Sequence, residues 1–141
     1  MLLTPKKTKH RKWQTGRKHP RRRNAPDTRG VKIAFGSFAL KAVTQARVTS
    51  NQIEAARKVI VRTIGKTGKW WLRIFPDRPV TRKAAEVGMG KGKGDLDHYV
   101  AEVKPGRIVF EVEAPTEEAA REALRKAGMK MPFKFKIVER R

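Results

Sequence analysis

The sequence predicts a small α+β fold. Two helices would pack on a mixed, mostly antiparallel sheet as a two-layer sandwich, with an extended basic N-terminal arm and a Gly-Lys-rich loop outside it. Three observations carry this. Two segments place apolar residues at helical spacing between recognisable caps, several others alternate at strand period, and residues 1–32 show neither pattern. With 38% apolar residues, the 141-residue chain can bury one modest core, which suits a single globular domain over residues 31–141 preceded by an arm over residues 1–30.

The elements follow in order. Val31, Ile33 and Phe35 alternate with Lys32 and Ala34, Gly36-Ser37 interrupts as a bulge or bend, and Phe38-Ala39-Leu40 resumes the strand. Thr49 and Gln52 stand three apart as a capping box. Ile53, Ala56, Ile60 and Ile64 then form one helical stripe that Gly65 ends, while Arg57, Lys58 and Arg62 lie elsewhere on the helix surface, where phosphate could meet them. Lys69 to Phe75 reads as a strand ending at Pro76, with Trp70, Leu72 and Ile74 on one face and Trp71, Arg73 and Phe75 on the other. Trp70 suits the core; Trp71, beside Arg73, suits either core filling or a nucleic-acid contact.

Tyr99–Lys104 and Arg107–Glu113 predict a hairpin across Pro105-Gly106, with Ile108, Phe110 and Val112 turned inward against Tyr99, Ala101 and Val103. Thr116 caps a second helix whose first turn carries Glu117-Glu118, favourable for the helix dipole. Ala120, Ala123, Leu124 and Ala127 form its packed stripe, Arg121, Arg125 and Lys126 face out, and Gly128 is expected to cap its end. Phe133–Val138 reads as a last strand, with Lys134 and Lys136 on one side.

Charge carries the functional reading. There are 35 Lys+Arg against 13 Asp+Glu, a formal +22, and such self-repulsion calls for a polyanionic partner. Residues 1–32 hold twelve Lys or Arg and one acid, Asp27, a net +11 in less than a quarter of the chain. This arm bears Lys6, Lys7, Lys9, Arg11, Lys12, Arg17, Lys18, Arg21, Arg22 and Arg23. It also has three prolines and no apolar periodicity, so it does not offset its own ordering entropy. The plain alternative is a solvated tail; His10 and Trp13 among cations favour stacking on a base or ribose beside phosphate contacts.

Residues 82–95 form the second basic feature, with glycine at 88, 90, 92 and 94. Arg82, Lys83, Met89, Gly90, Lys91, Gly92 and Lys93 sit in it. The spacing matches neither a Walker A loop nor Gly-x-Gly-x-x-Gly. A disordered loop is one reading; lysines on glycine hinges that thread between nucleic-acid strands is the other.

Other classes are poorly served. With no cysteine, disulfides, thiolate metal sites and cysteine nucleophiles are excluded. The longest apolar runs fall far short of the roughly 20 residues that span a bilayer, and Met1-Leu2-Leu3 passes at once to Pro5-Lys6-Lys7, unlike a secretory signal. His10, His19 and His98 are isolated, and lysines crowd the Asp95/Asp97 pair. No catalytic residue, metal or cofactor is expected. Two rivals to an RNA-binding protein are a nucleotide phosphohydrolase built on the glycine loop and a polyanion binder without a fixed site.

Together the motifs resemble a known family. Arg-Ile-Phe-Pro-Asp-Arg-Pro-Val-Thr (73–81), Met-Gly-Lys-Gly-Lys-Gly (89–94), Asn-Gln-Ile-Glu-Ala-Ala-Arg (51–57), Val-Lys-Pro-Gly-Arg (103–107), Met131-Pro132 and Thr-Lys-His-Arg-Lys (8–12) resemble, in order and spacing, bacterial large-subunit ribosomal protein sixteen. The resemblance implies a small α+β sandwich that binds large-subunit ribosomal RNA beside the aminoacyl-tRNA site and helps organise the peptidyl-transferase region without chemistry of its own. It implies an arm that threads into RNA through Lys9, Arg11, Lys12 and Arg17. It implies a loop that projects towards tRNA with Arg82, Lys83, Met89, Lys91 and Lys93, and further contacts at Arg57, Arg73 and Arg78. Ribosomal RNA, tRNA and other large-subunit proteins are the implied partners, with no membrane and no stable homo-oligomer, in the cytoplasm; an organellar ribosome would present the same features. The chain departs from the family at Gly88, where an arginine commonly precedes the Met-Gly-Lys-Gly run, and in the more basic, proline-bearing stretch 19–26.

Overall fold

The computed structural model describes residues 3–15, 21 and 24–141. Its elements are β1 (Phe38–Ala42), β2 (Ala46–Thr49), α1 (Ser50–Ile64), β3 (Lys69–Leu72), β4 (Arg78–Arg82), β5 (Asp95–Val103), β6 (Ile108–Glu113), α2 (Glu117–Gly128) and β7 (Phe135–Glu139). The α+β class with two helices holds. The single mixed sheet does not: the strands divide into a four-stranded sheet, β3-β6-β1-β7, and a three-stranded sheet, β2-β5-β4, and every pairing between them is antiparallel.

The expected hairpin is overturned for the same reason. β5 and β6 are adjacent in sequence but lie in different sheets, β5 between β2 and β4, β6 between β1 and β3. The turn explains the parting. Arg107 N–H donates to the Lys104 carbonyl at 3.2 Å and Gly106 has φ 95°, which with Pro105 ahead of it is a type II turn. Such a turn opposes the natural twist of paired strands and splays them. Tyr99 therefore faces Pro79 in β4 rather than β6. Phe110, Val112, Ala101 and Val103 still reach the common core; Ile108 is buried outside it and Tyr99 is half-buried.

Val31, Ile33 and Phe35 are not a strand. The chain from Asp27 to Ser37 is an irregular strap joined to the four-stranded sheet. Asp27 N–H donates to the Pro105 carbonyl and Ile108 N–H to the Gly30 carbonyl, both at 2.8 Å. Gly30, at φ 63°, is so close to Arg107 that a Cβ there would lie 2.8 Å from its Nε. The amides of Ala34, Phe35 and Gly36 all turn to the carboxylate of Glu111 in β6, at 2.8, 2.7 and 3.0 Å, and so are unavailable to a ladder. The alternation still reports packing, since Phe35 stacks on Trp71 at 6.0 Å between centroids.

Two strands escape the sequence reading. β2 is four residues, too short to show a period. β4 contains Pro79, which reads against a strand but is tolerated because β4 is an edge. β3 stops at Leu72, earlier than expected, although Ile74 is buried in the core as the alternation requires.

The helices form as their caps dictate. Thr49 Oγ1 accepts from Gln52 N–H at 3.3 Å and the Gln52 side chain accepts from Thr49 N–H at 2.9 Å, completing the capping box. Ile53, Ala56, Ile60 and Ile64 are buried, and Gly65 ends α1 with φ 69°. Thr116 accepts from Ala119 N–H at 3.2 Å to start α2. Ala120, Ala123, Leu124 and Ala127 are fully buried where α2 meets α1 and the four-stranded sheet. Gly128 is the last helical residue rather than the cap, which is Met129. A Cβ on Gly128 would lie 2.5 Å from the Phe135 ring, so the glycine is there for close approach. The last strand begins at Phe135, with Phe133 buried just before it and Lys136 exposed on β7.

Candidate nucleic-acid interface

The stretch 3–15 of the arm forms no helix or strand and needs external anchors, which the start of α1 and the three-stranded sheet provide. Leu3 N–H donates to Ser50 Oγ at 2.7 Å and its side chain packs against the core. At the other end of the described arm, Arg47 in β2 and Arg78 in β4 flank Glu102 in the central strand β5. Arg78 Nε is 2.8 Å and Arg47 Nη2 3.0 Å from Glu102 Oε1. One carboxylate between two guanidiniums leaves donors to spare, and these go to the arm. Arg78 Nη2 donates to the carbonyls of Gln14 and Thr15, Arg47 Nη2 to that of Thr15, and the Arg78 guanidinium lies 5.8 Å from the Trp13 ring centroid.

Lys6, Lys7, Lys9, His10, Arg11, Lys12 and Trp13 are all exposed along this path, as is Arg21. Among the described residues, no acidic side chain comes within ion-pair distance of Lys6, Lys7, Lys9, Arg11, Lys91 or Lys93. Arg17, Lys18, Arg22 and Arg23 lie outside the described residues, as does part of the stretch 19–26.

The glycine loop is the tip of the β4–β5 hairpin, closed where Arg82 pairs with Asp95. Gly90 and Gly92 have φ 105° and 96°, and Lys91 between them is at φ 60°. A Cβ at Gly88, Gly90 or Gly92 would meet nothing within 4 Å. Lys83 donates through Nζ to the Gly90 carbonyl, folding the loop on itself. Arg82, Lys91 and Lys93 are exposed, and Met89 is 97% exposed. Lys12 joins this loop to the arm: its Nζ is 3.5 Å from the Lys93 carbonyl and 3.9 Å from the Asp95 carboxylate.

The three remaining arginines are engaged within the fold. Arg57 clasps Glu54, its Nε 2.9 Å from Oε2, and lies 6.0 Å from the Trp70 centroid. The guanidinium beside it holds the Glu54 carboxyl down to about 2. Arg73 Nη1 is 2.7 Å from Glu111 Oε1. Arg78 is 5% exposed in the arm clamp. Trp70 packs on Phe110 as the core reading expects. Sequence reasoning missed Arg47 and Glu102; the signal was the alternation of β5, which puts Glu102 beside Arg47, but the pairing of β5 with β2 was not visible.

No group of three His, Cys, Asp or Glu among the described residues could hold a metal ion, and Asp97 is 2.7 Å from His98 Nδ1. No described helix is long and apolar enough to cross a membrane.

Comparison with known proteins finds relatives along nearly the whole chain. Residues 5–138 match the family model of ribosomal protein L16p/L10e. The chain is 50% identical over 139 residues to large ribosomal subunit protein uL16 of Halorhodospira halophila, covering 99% of this chain and 98% of that protein. It is 50% identical over 139 residues to uL16 of Psychrobacter cryohalolentis, with the same coverage. It is 48% identical over 137 residues to uL16 of Vibrio cholerae, covering 97% and 96%.

Proposed function

The chain belongs to the ribosomal protein L16p/L10e family, and we propose that it binds large-subunit ribosomal RNA beside the aminoacyl-tRNA site and touches tRNA with its glycine loop. It is a structural constituent of the large ribosomal subunit, found on the ribosome, and not an enzyme. The observation that supports the finer reading is Lys12, whose Nζ lies against Lys93 and Asp95 and so brings the basic arm beside the basic loop.

On that surface the division of labour follows from geometry. Lys6, Lys7, Lys9, Arg11 and Lys12 sit on an exposed chain pinned at both described ends, so they neutralise phosphates along a defined track. Lys91 and Lys93 stand on glycines with open space around them, where a backbone can approach RNA closely. Arg78 acts one step back, by holding the arm that presents these lysines, while Arg57 and Arg73 brace α1 and the strap.

The test is retention on the large subunit. Full-length protein should stay with purified large subunits through a moderate salt wash, and a variant with Lys9, Arg11, Lys12, Lys91 and Lys93 changed to Ala should be washed off. Retention of that variant at wild-type level would sink the assignment of this surface.

A further inference from the structure

We propose that the cleft between the arm and the β3–β4 connection is a slot for one unpaired base of RNA, a reading that rests on the proposed RNA-binding function. The cleft holds about 540 Å³. Trp13 stands on its arm side and Phe75 on the connection, 47% and 46% exposed. Two large aromatic rings left half in water beside an open cleft carry a hydration cost that a stacking partner removes. Trp13 is not loosely placed, because Arg78, itself anchored to Glu102, lies against its ring.

The rim matches the polar edge of a base. Asp77 and Glu102 bring carboxylate acceptors, and Arg107 brings donors, its Nη2 making, among the described residues, a long 3.5 Å contact with the Arg73 carbonyl. A base has two apolar faces and an edge that both donates and accepts, and this cleft has aromatic walls with both kinds of group around them. Neighbouring chemistry selects a nucleotide over a protein side chain. Lys9 and Arg11, exposed and without an acidic partner among the described residues, precede Trp13 on the arm, where the phosphates flanking a bound base would run.

The probes are a nine-nucleotide oligouridylate and a ribose-phosphate nonamer of equal length without bases, with binding to the full-length protein followed by fluorescence anisotropy. The base-bearing strand should bind roughly five- to fiftyfold more tightly. Trp13→Ala and Phe75→Ala should each remove that difference, and Trp13→Phe should keep most of it. Equal affinities for the two strands, or a difference that survives Phe75→Ala, overturn the slot. If both strands bind equally with a steep salt dependence, the slot falls while the RNA-binding function stands. If neither binds, both fall.

Discussion

Arg73 Nη1 lies 2.7 Å from Glu111 Oε1, joining the connection after β3 to the centre of β6 beneath the strap. Glu111 is fully buried, and its two oxygens also accept from the amides of Ala34, Phe35 and Gly36. A lone carboxylate in this position would be very costly; four donors make it a fastening. It decides that residues 31–37 cover the outer face of the sheet instead of extending it.

Replacing Glu111 should therefore cost more than any surface charge. Glu111→Gln leaves Arg73 without its anion and sets an amide against three N–H donors. We expect a loss of about 3–5 kcal/mol, toward the low end because Arg73 is partly solvated. Urea unfolding at neutral pH measures it.

Acid should reveal the same group. Burial pushes the Glu111 carboxyl up, but the amides of Ala34, Gly36 and Phe35 and the Arg73 guanidinium outweigh it and hold it below the usual carboxylate range. A carboxyl lowered on folding contributes its stability fully above the unfolded value of about 4.3 and loses it as pH falls through the folded value. The wild type should lose stability steeply below about pH 4, with a visibly shallower slope in Glu111→Gln. Parallel slopes in the two proteins would refute this.

Gly128→Ala tests close packing against helix propensity. Alanine is the better helix former by about 1 kcal/mol, yet its Cβ would meet the Phe135 ring at 2.5 Å. The clash should win, with a net loss of about 1–3 kcal/mol. In Phe135→Leu the same change should become neutral or favourable, which a double-mutant cycle measures.

The arm clamp can be opened by one substitution. Glu102 is partly exposed but the Arg78 it pairs with is buried, so Glu102→Gln should lower global stability by about 1–3 kcal/mol, less than the loss at Glu111. With their shared anion gone, Arg47 and Arg78 should hold the Gln14 and Thr15 carbonyls less well. Trypsin cleavage after Lys9, Arg11 and Lys12 should accelerate several-fold at temperatures well below the melting transition.

Gly88→Arg should be structurally silent, because a Cβ at Gly88 meets nothing within 4 Å. It places a further cation beside Lys91 and Lys93. Affinity for ribosomal RNA should rise and the salt dependence steepen by roughly 0.7–0.9 log unit per log unit of salt. Unchanged binding would mean that the loop does not meet RNA.

Local features are legible in the amino-acid sequence itself. Thr49 and Gln52 announce the start of α1 and Thr116 that of α2, because a cap is a bond between neighbours. The core stripes, the inward set Trp70, Leu72 and Ile74, and the gathering of positive charge on arm and loop are likewise matters of period and composition. Alternation states which side of the chain is buried, not against what. Only the tertiary structure decided that β5 and β6 part at Gly106, that Val31–Phe35 forms a strap, and that Glu102 holds two arginines against the arm. Each is a choice of partner among groups tens of residues apart, and hydrogen-bonding groups of one strand are chemically alike. Geometry, through the twist of a turn and the reach of a buried carboxylate, makes that choice.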